Sequence, residues 1–328
     1  QLVLSAFVAS FAYSTAGLYT VGVSAGTRTE SFPRLAVTGA IVLLFVSLGA
    51  LVFEVHHVSH SMQIDEIMRK VELATERVVR QPSPGRRLTP APAVPRSATA
   101  VRSNRSGYVQ TMHPEPVIAT AGALRANVAL VPKVGDHVVA GTPIAWLWRT
   151  DGEPLDEKDL HGAVHDSVRL GFERTLEQDA AFGVRQLVDI ASKALSPAVN
   201  DPYTAVQAID HLAAVLAAIA LRDQGDAIYP TSGATTVTVP AYDFEDYLEL
   251  GCAQIRRYGA AEPLIGSSLI RLLTSLAHAT TDPSRRAAMR HQLELIVEDT
   301  EREVAQPEDL ILLRAEAAAL RELLEELT

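Results

Sequence analysis

The sequence predicts a membrane α-helical hairpin joined to an α+β cytoplasmic region. That region is read as a small lipoyl-like or hammerhead β-barrel followed by a mainly α-helical domain. Three observations predict this. Two long charge-free runs open the chain. Short alternations of apolar and polar residues, with glycines at their turns, occupy 105–150. Apolar residues then recur at helical spacing to the C terminus. The expected division is a transmembrane hairpin with an outgoing helix over 1–81, a linker over 82–104, the barrel over 105–150, and the helical domain over 151–328, with a short β-hairpin near 226–240.

The spans come first. Residues 1–27 carry no charge, and "LAVTGAIVLLFVSLGALVF", 35–53, is a second charge-free run of 19. At about 1.5 Å of rise per residue, each run crosses a hydrocarbon layer of roughly 30 Å. The spans are placed at 2–23 and 35–54. A signal peptide would need a basic start and a small-residue cleavage site; the first run lacks the basic start, and a second span follows closely. A soluble core helix rarely lacks every charge for so long. Arg28 and Arg34 stand between the spans, and Arg69, Lys70, Arg77, Arg80, Arg86 and Arg87 follow the second. The inside-positive bias therefore predicts a cytoplasmic C-terminal region. The lone Cys252 agrees with a reducing compartment. The net charge of −10 argues against nucleic acid as the main partner. The start at Gln1 rather than Met suggests a longer polypeptide with upstream spans.

After the second span, Ile64, Ile67, Met68, Val71 and Val78 recur on one helical face. The expectation is one long helix leaving the bilayer, its apolar stripe in need of a partner. "RQPSPGRRLTPAPAVPRSATAVRSNRS" is rich in Pro, Ser and Arg without a period, and reads as a flexible linker. "SGYVQTM" and "ANVALVPKVGDHVVAGTPIAWLW" alternate, with Gly135, Asp136 and Gly141 at tight turns. Lys133, the one lysine there, has no flanking Met, so the barrel is expected to be structural, without a swinging arm. Helices follow in "HGAVHDSVRLG", "AAFGVRQLVDIASKAL", "PYTAVQAIDHLAAVLAAIAL", "YDFEDYLELGCAQIRRYG", "EPLIGSSLIRLLTSLAHAT" and "PSRRAAMRHQLELIVEDT", and a closing helix over Asp309–Leu327. Tyr229–Pro240 reads as a hairpin.

The joint "ALSPAVNDPYTAVQAIDHL", 194–212, is punctuated as a helix stop and restart. Pro197 breaks the first helix, Asn200 tolerates a left-handed turn, Asp201 is a good N-cap and Pro202 fits the first helical position. Those rules explain the joint without a ligand. Upstream, Arg174, Gln178, Asp179, Arg185 and Asp189 sit among apolar residues, and Arg185 can pair with Asp189 four residues on. With Ser196, Asn200, Asp201 and Thr204 they form the candidate polar ligand pocket; the alternative is a polar network that locks helices together. His56 and His60 share a metal-compatible spacing at the membrane exit, as do His161 and His165, but neither pair has a third ligand fixed by spacing. No nucleophile elbow and no phosphate-cradling glycine loop occurs. No cofactor is expected.

"SGYVQ", "ERTLEQDAAFGVRQLVDIASKALSPAVNDPYTA" and "QIRRYGA" resemble the bacterial predicted-membrane-protein family called domain of unknown function 2254. The resemblance covers almost the whole chain. It implies an integral membrane protein with further N-terminal spans and no settled activity. It marks Arg174, Thr175, Gln178, Asp179, Phe182, Gly183, Arg185, Gln186, Asp189, Ser196, Pro197, Asn200, Asp201, Pro202 and Thr204 as motif positions and assigns them no chemistry.

The resulting expectation is a multi-pass inner-membrane protein, self-associating through the 64–78 stripe and the closing helix. Its leading role is non-enzymatic: a channel-like or transport-related assembly with a regulatory cytoplasmic domain, Ser5, Ser10, Tyr13, Ser14, Thr15 and Thr20 lining a polar path or bonding to neighbouring helices. The alternatives are a ligand sensor or enzyme using the Arg174–Asp210 region, for a small ligand or ion, and a membrane-tethered scaffold.

Overall fold

The computed structural model describes residues 2–23, 34–61, 64–81, 86–87, 93–149, 151, 158–231 and 235–326. The chain divides into two units, Gln1–Ile67 and Met68–Thr328.

In the first unit, α1 (Leu2–Val23) packs against α2 (Arg34–Ser61). They meet closely at Gly39, where an added Cβ would stand 2.6 Å from the Tyr13 hydroxyl. The hydroxyls of Thr15 and Ser47 donate to the carbonyls of Phe11 and Leu43, four residues back, at 2.8 and 2.9 Å. The rest of the surface is apolar and bare: Phe7, Phe11, Leu35, Leu44, Phe45 and Val46 are all exposed, and only 6% of Leu35–Val52 is buried. A helix pair that satisfies its own backbone and presents such a surface is matched to hydrocarbon rather than water. Continuity of the second span into the 64–78 helix depends on residues 62–63, which lie outside the described residues.

The second unit is mostly helical with two small sheets. Its first helix is α3 (Ile64–Val79), which belongs to this unit from Met68 onward. Its apolar stripe finds a partner inside the chain. Met68 and Val71 are buried in the helical core with α6 (Ala180–Ala194) and α7 (Pro202–Ala220), and Val78 and Val79 pack on the same core. Gly183 of α6 lets α3 approach: an added Cβ would lie 1.8 Å from Thr75 Oγ1. Glu72 bonds to His211 of α7, and Gln81 Nε2 donates to the Glu177 carbonyl. Met68, Val71 and Val78 of the expected stripe are therefore covered by the protein's own helices, whereas Ile64 and Ile67 remain 41% and 42% exposed.

The same holds at the other end. The closing helix, α11 (Ile311–Glu326), buries Leu313, Ala317, Leu320 and Leu324 against α9 (Pro263–Ala279) and α10 (Pro283–Glu303), and is preceded by the 3-10 turn Pro307–Leu310. With α8 (Phe244–Gly259), these helices complete one core. α7 is also long and apolar enough to cross a membrane, but 44% of it is buried within this core.

The expected barrel does not close. Its strands distribute into two open sheets. The first holds β1 (Arg86–Arg87), β2 (Thr99–Arg102), β4 (Asn127–Leu130), β6 (Pro143–Trp148), β8 (Ala227–Pro230) and β9 (Thr236–Val239), in the order β1-β8-β9-β4-β6-β2. All its pairings are antiparallel except β4 with β9. The second holds β3 (Gly107–Met112), β5 (His137–Val138) and β7 (Val168–Gly171), in the order β5-β3-β7. β2 and the paired residues of β1 fall in the segment read as linker. "EPVIATAGAL" forms α4 (Glu115–Leu124) inside the expected barrel, and "HGAVHDSVRLG" splits into α5 (Lys158–Ser167) and then β7. Both helices close the sheets over a second core of Val117, Ala121, Leu160, Val164, Ile144, Leu147 and Val237. β8 and β9 pair antiparallel within the segment read as a hairpin, and residues 232–234 between them lie outside the described residues.

Candidate functional site

A cleft of about 680 Å³ opens within the second unit, where the sheets meet the helices. Its lining comes from the C-terminal end of α3 (Val78, Val79, Gln81), the β3–α4 corner (Met112, His113, Glu115), the turn after β4 (Lys133, Val134), the start of α6 (Gln178, Asp179, Ala180), the end of α7 (Leu221, Arg222, Asp223) and the β8–β9–α8 stretch (Tyr229, Val239, Tyr242, Tyr247). A volume of this size suits a small-molecule ligand.

Each polar group in the cleft is placed by the local fold. Lys133 begins a tight turn in which the Asp136 carboxylate accepts from its backbone N–H at 2.8 Å, and Gly135 takes φ +94. The ammonium donates to Asp246 Oδ2 at 2.8 Å and lies 4.5 Å from the centroid of the Tyr242 ring. Asp246 belongs to the capping box that starts α8 with Asp243. Burial works against the Lys133 charge, but the hydrogen bond and charge of Asp246 outweigh it and hold the ammonium above its ordinary pKa. Lys133 is a fixed cation, not a neutral nucleophile. Burial, then the nearby Asp136 carboxylate, push the Tyr242 phenol up. Arg222 donates to the carbonyls of Arg80 and Gln81 and ties α7 to α3.

The sequence-predicted residues fall in two separate places. Arg174 grips Asp179 with two hydrogen bonds, 2.9 and 3.0 Å, and its guanidinium lies 5.1 Å from the Phe182 ring. Asp179 is 2% exposed and also caps α6, accepting from Phe182 N–H at 2.9 Å. Burial disfavours the Arg174 charge, and the bonds to Asp179 more than restore it, so its pKa is raised. Gln178 accepts from Met112 N–H at 2.8 Å and so fastens α6 to β3. Of these, Gln178 and Asp179 border the cleft.

Ser196, Asn200, Asp201 and Thr204 stand at the opposite end of α6. That helix has 15 residues, about 22 Å of rise, so one pocket does not receive both groups. Ser196 Oγ donates to Lys193 O, Asn200 adopts φ +50, and Asp201 accepts from Thr204 N–H and Oγ1 at 3.1 and 2.6 Å. Those Thr204 bonds hold the Asp201 carboxyl below its usual range. Arg185 pairs with Asp189 on the exposed face of α6 at 2.8 Å, side chains 43% and 55% exposed. Asp210 meets Arg271 at 3.4 Å. The side chains of His56 and His60 lie outside the described residues. His161 and His165 are in α5, and among the described residues no group of three or more His, Cys, Asp or Glu is placed to hold a metal. Lys133, Tyr242 and Asp246 were missed as site residues. Lys133 and Asp246 are 113 positions apart, and no local spacing announces their meeting.

A family model described as "Predicted membrane protein (DUF2254)" matches residues 1–275. The chain belongs to that family. The DUF2254 chain is 42% identical over 332 aligned residues to uncharacterized proteins of Mycobacterium bovis and of two Mycobacterium tuberculosis strains. The alignments cover 99% of this chain and 64% of each relative, so the chain spans under two thirds of the curated relatives it matches. No solved structure matches the DUF2254 chain.

Proposed function

We propose that this protein is a membrane-anchored ligand-binding protein, in which α1 and α2 cross the bilayer as a hairpin and the second unit faces the cytoplasm. The observation that carries this reading is the cleft of about 680 Å³, with a fixed ammonium at Lys133, the amide of Gln178 and three tyrosines on its walls. A lining that is more polar than apolar, with charges of both signs and three tyrosine rings, favours a small polar-aromatic or zwitterionic molecule. The basic residues after α2 support the cytoplasmic placement, and the length of the mycobacterial relatives is compatible with a multi-pass protein with further spans.

The test is to purify the full chain from native membranes, denature it and identify released small molecules by mass spectrometry, beside a Leu221→Trp variant at an exposed position of the cleft wall and a Lys133→Ala variant. The reading expects a compound that accompanies the wild type and is absent from the variants. Identical extracts from equally folded proteins refute it. Binding is favoured over transport because the cleft, with its fixed ammonium, lies in the second unit and not between α1 and α2.

A further inference from the structure

The polar atoms of the cleft are unevenly spent. The acceptors among its half-buried groups are occupied. Gln178 Oε1 takes the Met112 N–H, and Asp179 takes two bonds from Arg174 and one from Phe182 N–H. Asp246, which holds the Lys133 ammonium, also takes the Asp243 N–H, and Asp136 takes the Lys133 N–H. The donors are not used up. The Lys133 ammonium has three N–H groups and gives one of them to Asp246. A backbone N–H fixes Gln178 Oε1, so the amide NH2 is the atom group left over. Among the described residues, neither that NH2 nor the Tyr242 hydroxyl has a partner. Lys133, Gln178 and Tyr242 all line the cleft and are half-buried.

Three unspent donors call for a group that accepts. An ionised carboxylate only accepts, and its bonds to a charged donor are about twice as strong as neutral ones. A ligand with net negative charge, however, finds no surplus of positive charge to meet it. The Lys133 and Arg174 charges are already matched by Asp246 and Asp179, and Arg222 lies against the carbonyls of Arg80 and Gln81. On the exposed part of the lining stand two more carboxylates. Glu115 has no partner among the described residues, and Asp223, 92% exposed, comes no nearer than 4.0 Å to Arg285. The half-buried side therefore offers donors, and the exposed side offers acceptors that carry charge.

We propose that the cleft takes a small zwitterion, an amino-acid-like molecule, with its carboxylate on Lys133, Gln178 and Tyr242 and its ammonium toward Glu115 and Asp223. This rests on the reading of the cleft as a ligand site and adds the ligand's class and orientation. The body of the molecule lies between the two poles, against Val78, Tyr229 and Val239. An amine without the carboxylate leaves the half-buried donors unpaired, and an acid without the ammonium meets the exposed carboxylates with nothing to offset them.

The full chain in detergent, dialysed free of bound compounds, is titrated with the common amino acids by calorimetry. The tightest binder is then compared with its decarboxylated amine and its deaminated acid. Loss of either pole is expected to weaken binding by about tenfold or more. Tyr242→Phe and Lys133→Met are each expected to weaken the zwitterion by about tenfold and to leave binding of the amine unchanged. Glu115→Gln is expected to weaken the zwitterion severalfold and not the acid. A purely structural loss weakens all three probes alike. Failure of every amino acid to bind, an amine or an acid that binds as tightly as the zwitterion, or a Tyr242→Phe protein of wild-type affinity overturns the inference. The two readings separate. A compound released from the purified chain that carries no acidic group removes the zwitterion and leaves the cleft a binding site, whereas a chain that releases nothing and binds no amino acid removes both.

Discussion

Replacing Asp179 tests whether the Arg174–Asp179 pair is the fastening between the sheets and α6. The carboxylate does two things: it holds Arg174 through two hydrogen bonds and accepts from Phe182 N–H as the cap of α6. Asp179→Asn removes the charge but leaves a capable cap. Losing one member of a buried pair costs about 3–5 kcal/mol; the Arg174 side chain is 23% exposed, so water recovers part of this, and about 2 kcal/mol is expected. Asp179→Ala also loses the cap, a further ~1 kcal/mol. At roughly 2–4 °C per kcal/mol for a unit of this size, the melting point falls by about 4–8 °C for Asn and about 6–12 °C for Ala. Tryptophan fluorescence is a selective readout, because Trp146 and Trp148 both lie in β6 and the spans have none. A double-mutant cycle with Arg174→Met should return a coupling of about 1–2 kcal/mol. An Asp179→Asn protein within ~0.5 kcal/mol of wild type, or strict additivity with Arg174→Met, refutes the reasoning.

Gly183→Ala would force a Cβ to within 1.8 Å of Thr75 Oγ1, so it is expected to destabilise by about 1–3 kcal/mol and to raise proteolysis of α3, with partial rescue by Thr75→Ala. Glu294 is held below its ordinary pKa of 4.5 by the hydrogen bond from Arg321. A depressed carboxyl adds stability above 4.5 that is lost as pH falls through its folded value, so Glu294→Gln should flatten the acid limb of a stability-against-pH curve. The Cys252 thiol is raised from 9.0 to about 12 by burial; its contribution is full below pH 9.0 and falls by about 1.4 kcal/mol per pH unit above it, a slope that Cys252→Ala should remove from chemical unfolding between pH 9 and 10. Asn200, at φ +50, should tolerate Gly and lose about 1–2 kcal/mol as Val by thermal melting.

Features written in adjacent residues were legible. Asp201, Pro202 and Thr204 specify a cap because a cap joins positions three apart, and the structure places those bonds as the residue types require. The apolar run of 35–53 specifies a long helix for the same reason: its information is local. The barrel was misread because strand pairing is not. β4 and β6 alternate as expected, but β4 also takes β9 as a parallel neighbour from over a hundred residues away, and that pairing leaves the sheet open. α4 was hidden because Pro114 and Pro116 flank its start and its Val117 and Ile118 fit a strand equally well. The candidate site mixed two ends of α6 because a linear list of polar residues does not show that 15 helical positions separate them.

The apolar stripe of α3 carries the broader point. A stripe at helical spacing states that one face is covered, and it is silent about what covers it. Here the cover is α6 and α7, reached through Gly183, and the Leu313–Leu324 face of α11 is covered in the same way. Met68, Val71 and the Leu313–Leu324 face are therefore consumed in folding the second unit, while Ile64 and Ile67 stay 41% and 42% exposed. The widest apolar surface left bare among the described residues is that of α1 and α2, beside smaller patches such as Ile64 with Ile67 and Val199 with Tyr203.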